Sequence, residues 1–221
     1  MTYTADQILA QQRPDGSWGY FHTLSVPVKG KPLTTEQALR RLRELGYTAQ
    51  DEPIQRAIAY MEYHLPKPVP TIFYEKTHDP KIFTDLMLAA WLKLFVPDHP
   101  GAARVARQWA AAVEAAFENG ARDQAAYLRE FQAQFGKLPN PRAAILTDFV
   151  SFYHIALLPG MLTPATESAM LDYVLSNPRG IHYIYREPLN RPPGDSPSKI
   201  KRYKEAIALL ERYALYPLAP S

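Results

Sequence analysis

One device opens helix after helix along this 221-residue chain: a capping side chain followed at once by proline. Asp79-Pro80, His99-Pro100, Asn140-Pro141 and Thr163-Pro164 each supply it. Proline's fixed φ suits the first turn of a helix, where its missing N–H has no intrahelical partner to lose; further in, it breaks the ladder. The pairs therefore mark boundaries, and helices are expected from Pro80 to about Val96 and over 100–118, 141–158 and 164–176. Thr4-x-x-Gln7 and Thr34-x-x-Gln37 have the spacing of capping boxes and add helices from Thr4 to about Gln12 and from Thr34 to Leu45, with Gly46 as the stop. Asp51 is expected to cap a third, whose face Ile54, Ala57, Ile58, Met61 and Leu65 repeats at the helical period. Two more are expected at 122–135 and 198–213. The segments between read as an irregular stretch at 19–33, an ordered loop at 71–79, a proline-rich loop at 187–199 and a frayed end at 217–221. Gly180 to Arg186 alternates and reads as a short extended edge. The expectation is an all-α chain of about eight or nine helices, one domain over 1–221, with one short extended segment near 180–187. Ile82–Val96 and Ala143–Leu158 are apolar nearly all round and are expected at the centre, while the Ala-rich 100–118 helix, charged on one side, is expected at the periphery.

The most distinctive local spacing is Gln12-x-x-x-Gly16-x-Trp18. Pro14 and Asp15-Gly16 make a turn, Gly16 is free to take a positive φ, Gln12 has an amide to satisfy turn backbone, and Trp18 offers a large apolar face with one donor. With the Leu45-Gly46 turn, the Asp51 cap and the helix after it, this stretch resembles repeats of the α/α-toroid superfamily, which includes terpenoid cyclases and protein prenyltransferase β subunits. The resemblance covers roughly residues 1–65 and implies a toroid-like framework. The cyclases' Asp-x-Asp-Asp acid motif is missing, and the prenyltransferase zinc set needs a cysteine that this chain lacks.

Composition removes further classes. The net charge of +3 is too small and too scattered to argue nucleic acid, and the tight cluster Arg40, Arg41, Arg43 reads as a solvated helix face. The absence of cysteine excludes disulfides and thiolate-held zinc. No signal peptide and no transmembrane run is read, so a cytoplasmic protein is expected. No dinucleotide, phosphate-loop, nucleophile-elbow or zincin motif occurs.

Three constellations remain. Glu75-x-x-His78 has the spacing of carboxylate-bridged dimetal sites, although Asp79 beside it also reads as a helix cap. On the expected helix 141–158, Thr147, Ser151 and His154 share a face with Asp148 beside them; His154 reads as a base with Asp148 as orienter or metal ligand, or else Asp148 pairs with Arg142 or Arg186. Asp85 raises the same question, with Lys81 as its simplest partner. His182, Tyr183, Tyr185 and Arg186 line a pocket or pack their rings on the core. Cofactor, metal and oligomeric state are left open by the sequence. The leading expectation is a non-catalytic or catalytically divergent module binding a small apolar ligand in an aromatic-lined cavity among 71–79, 82–96 and 141–158. The rivals are an enzyme, either a metal-assisted hydrolase or an isoprenoid-type transferase, and an interaction scaffold.

If the Gln12–Trp18 stretch organises the fold, Trp18→Ala costs about 3 kcal/mol or more of stability, as large aromatic truncations in cores do. Thermal or urea unfolding reads this, and an unchanged melting temperature contradicts it.

Overall fold

The computed structural model describes residues 4–22, 33–67, 79–143 and 145–213. Nine helices occur among the described residues: α1 Ala5–Leu9, α2 Thr35–Glu44, α3 Glu52–His64, α4 Pro80–Phe95, α5 Pro100–Phe117, α6 Gln124–Phe135, α7 Phe152–Leu157, α8 Pro164–Ser176 and α9 Pro197–Leu210. The expected loop at 71–78, most of the irregular stretch at 19–33 and the chain end at 217–221 lie outside the described residues. Among the described residues there is no strand, and no helix is long and apolar enough to cross a membrane.

The first three helices are held by the Gln12–Trp18 turn. Trp18 is buried; its indole N–H donates to Ile8 O at 2.7 Å and its backbone N–H to Thr35 Oγ1 at 2.9 Å. Gln12 donates to Gly16 O at 2.9 Å and to Pro53 O at 2.8 Å, so one amide joins the turn to the start of α3. Both capping boxes form, at Thr4/Gln7 and at Thr34/Gln37. α1 ends at Leu9, short of Gln12, as Arg13 N–H turns to Ser17 O at 2.8 Å. Leu39 and Leu42 are buried as the α2 period requires, whereas Leu45 at its end is 42% exposed. Asp51 precedes α3, but its carboxylate accepts from Thr48 N–H at 2.7 Å and makes no cap bond to the helix.

α4 is the centre. Every residue from Ile82 to Lys93 except Asp85 is buried, and α3, α5 and α7 pack around it. The expectation for 100–118 is corrected: α5 touches α4, α6, α7 and α8. Its Ala102, Ala106, Ala112 and Ala116 are fully buried. Small side chains allow close helix approach, so alanine richness here marks a packed helix and not an outlying one.

The expected helix over 141–158 is also corrected. Only α7 is helical, and residues 145–151 run as irregular, largely buried chain. Asn140 Oδ1 accepts from Arg142 N–H at 3.0 Å, but the helix does not propagate. Carbonyls that a helix would use internally are taken by α6 side chains: Tyr127 OH donates to Leu146 O at 2.9 Å, and Gln124 Nε2 donates to Thr147 O at 3.0 Å. Val150 and Phe152 then exchange backbone bonds with His182, at 3.1 and 2.9 Å. The expected extended edge at 180–187 is thus present as two isolated bridges, Ser151 with His182 and Ile181 with Tyr185.

At Gly16 φ is +88°, and a Cβ there would lie 2.2 Å from Arg56 O. Gly16→Ala combines a left-handed backbone with a backbone clash, so it is expected to cost about 2 kcal/mol or more. Urea denaturation tests this; a loss below about 0.5 kcal/mol, the range of ordinary surface changes, contradicts it.

Candidate functional site

The sequence-expected residues are placed in several separate environments. Glu75 and His78 lie outside the described residues. Asp79 pairs with Lys137, and Asp85 pairs with Lys81 as its spacing implied. Burial raises the Asp85 pKa, with Lys81 opposing it. Asp148 sits between Arg122 at 3.7 Å and Arg179 at 3.5 Å, so the partners proposed for it, Arg142 and Arg186, are replaced by these two. Thr147, Ser151 and His154 do not form a helical stripe, because the backbone before Phe152 is not helical. His154 is fully buried, with Nδ1 2.7 Å from Ser151 Oγ and its ring edge-on to Trp109 at 4.4 Å. No hydrogen bond or ion pair joins it to Asp148 among the described residues. Burial, then the charge of His182, pushes its pKa down to about 3. That leaves His154 neutral near pH 7, with Nε2 lacking a partner among the described residues. Tyr185 turns to Glu187 at 3.3 Å and packs on Tyr203. Tyr183 turns the other way, into a ring cluster with His22, Phe83 and Tyr153.

Tyr183 is the one non-glycine residue with positive φ among those described, at 68°. It sits in a tight loop that Gly180 closes, where a Cβ would meet Tyr185 O at 2.3 Å. A non-glycine residue in this region is held there by its surroundings. Here the surroundings are the ring cluster on one side and the bridge to Ser151 on the other.

Below that cluster lies a buried charge network that the sequence reading missed. Glu36, in the first turn of α2, is 5% exposed. Its two carboxylate oxygens accept from Tyr153 OH at 3.2 and 3.0 Å, and it pairs with Arg40 at 3.3 Å and faces His22 Nε2 at 3.7 Å. Arg40 also pairs with Glu205 of α9 and lies over the Phe152 ring at 4.3 Å. Burial works against the Arg40 charge, but Glu36 and Glu205 outweigh it and its pKa is raised. Burial and the Glu36 charge push Tyr153 well up, so its hydroxyl stays protonated and donates. The available signal was Glu36-x-x-x-Arg40, an ion-pair spacing on one helix face. It was hidden because Arg40, Arg41 and Arg43 were read together as a solvated face.

The Arg40–Glu205 pair borders two cavities. One, about 530 Å³, is walled by Tyr47, Trp91, Phe95 and Phe152, with Ala49 at its side. The Trp91 N–H has no acceptor among the described residues. The other, about 630 Å³, is polar, lined by Glu36, His22, His182, Tyr183, Arg186 and Arg202. Among the described residues no three His, Cys, Asp or Glu side chains are grouped so as to hold a metal ion. Comparison of the chain with family models, with curated proteins and with solved structures finds no match.

The state of His154 carries a pH dependence. Its folded pKa is about 3, below the ordinary 6.5. Between those values the unfolded chain binds a proton that the folded chain refuses, so stability falls as pH drops below about 6.5 and keeps falling to about 3. From pH 7 to pH 5 this amounts to about 2 kcal/mol. Urea unfolding at both pH values should show that loss in the wild type and a smaller one in His154→Gln. Equal losses contradict the assignment.

Proposed function

We propose that the chain is a small-molecule-binding protein, and that its ligand occupies the aromatic cavity beside Arg40. The observation that carries this reading is a cavity of about 530 Å³ with four aromatic walls meeting one half-buried guanidinium that is held over two of them. That volume lies in the range of small-ligand sites, which combine apolar and aromatic walls with a few placed polar groups. Trp91, Phe95 and Phe152 favour a flat apolar body, and Arg43 at the border favours an acceptor or anionic group on it, since Arg40 is paired with Glu36 and Glu205 and the other border carboxylate, Glu44, is taken by Arg41 and Lys201. The ligand is therefore aromatic with one polar end, more specific than the small apolar ligand expected from sequence. The cavity lies at the C-terminal end of α2, the helix whose first turn the Gln12–Trp18 lock holds through Thr35. The scaffold reading draws no such support: the large exposed apolar side chains among the described residues are scattered, Leu45 just past α2, Tyr63 on α3 and Leu138 in the segment after α6.

Glu36 favours a second reading. A carboxylate that lines the polar cavity, beside His22 and bonded to Tyr153, is the equipment of a general acid–base catalyst. Turnover that is lost in Glu36→Gln, with the fold intact, would establish it.

The binding reading is tested with 1-naphthoate, followed by quenching of tryptophan fluorescence. The expected Kd is about 100 μM or tighter. Ala49→Trp fills the cavity from its loop side while keeping every residue of the Glu36–Arg40–Glu205 network, and should weaken binding about tenfold or more, a change of about 1.4 kcal/mol. Equal affinity in the two proteins, or no binding to either, overturns the proposal.

A further inference from the structure

The last turn of α4 faces a second cavity as well. Lys93 is 7% exposed, and its ammonium donates to Pro159 O at 2.8 Å. Arg212, just past the end of α9, donates from its guanidinium to Ala156 O at 2.8 Å. Both line one cavity of about 630 Å³, together with Pro97, Pro159, Met161 and Tyr213. Each cation bonds a backbone carbonyl, and neither has a carboxylate within 4 Å among the described residues. An ammonium has three donors and a guanidinium five, so most of their capacity is unspent.

Lys93 is buried and Arg212 half-buried, and two like charges on one cavity are unfavourable unless an anion joins them. Burial, followed by the charge of Arg212, brings the Lys93 pKa down to about 8, so the amine is still mostly charged at pH 7. Asp98 also lines the cavity and its charge acts on Lys93, but it is exposed and forms no ion pair with either cation. Glu167 on α8 is buried, and its charge acts on Tyr213. The remaining walls are apolar. A monoanion with an apolar body fits them, whereas a dianion would face Asp98 with more repulsion.

We propose that this cavity binds a small aliphatic carboxylate, held between Lys93 and Arg212 with its chain against Met161 and Tyr213. The planar fork of a guanidinium matches a carboxylate, and the ammonium supplies the second charge. This site is separate from the aromatic cavity, since it shares none of its lining residues.

The experiment is isothermal titration calorimetry at pH 7 with three probes: hexanoate, hexanol and inorganic phosphate. Hexanoate should bind at least tenfold more tightly than either of the others. Lys93→Met and Arg212→Gln should each weaken hexanoate at least tenfold and leave hexanol unchanged; two variants on different elements guard against one failing to fold. Ala49→Trp should bind hexanoate as the wild type does. Hexanol matching hexanoate, phosphate binding as tightly, both cation variants keeping their affinity, or Ala49→Trp abolishing hexanoate binding would each overturn the proposal. The last result would place the carboxylate in the aromatic cavity instead.

Discussion

α4 has no polar face, and the rest of the structure follows from that. A helix apolar on all sides must be covered on all sides. α3, α5 and α7 do this along most of its length, leaving Ile82 to Leu92 buried apart from Asp85. Towards the C-terminal end the covering stops at the last turn. There Leu94 and Phe95 are half-buried and border the aromatic cavity, while Lys93 points to the cavity shared with Arg212. Both proposed binding sites thus sit where the packing of the central helix runs out, one on each side of it.

The Glu36–Arg40 pair sets the shape of that end. A buried carboxylate is tolerable only when its charge is answered, and here Arg40, Tyr153 and His22 answer it. Those partners come from α2, from α7 and from the segment after the Trp18 turn, and Arg40 extends the network to α9 through Glu205. The N-terminal lock therefore has a consequence beyond stability. By bonding Trp18 to Thr35, it positions the first turn of α2, where Glu36 stands. The ring cluster above Glu36 depends in turn on Tyr183, held at positive φ by its closed loop.

Local rules were legible in the sequence. Cap-proline pairs and capping boxes act within a few residues, and they marked the starts of five of the described helices, α1, α2, α4, α5 and α8. The failure at 141–158 has a clear cause. An apolar run is compatible with a buried helix or buried extended chain, and the choice was made by Tyr127 and Gln124, side chains about twenty residues away that took its carbonyls. The same logic explains the site. Asp148 found Arg122 and Arg179, and Arg40 found Glu205, which is 165 residues distant. Partners at that separation leave no local trace. Lys93 and Arg212, far apart in sequence, likewise line one cavity only because each reaches a carbonyl of the same segment, Pro159 and Ala156.

The most direct measurement of the central claim is a two-dimensional ¹H–¹⁵N spectrum of labelled protein with and without 1-naphthoate. The account predicts shifts centred on the amides of Tyr47, Thr48, Ala49, Phe95 and Phe152, around the cavity that Arg40 borders. Shifts centred on Met161 and Tyr213, or spread over the surface with no centre, would contradict it.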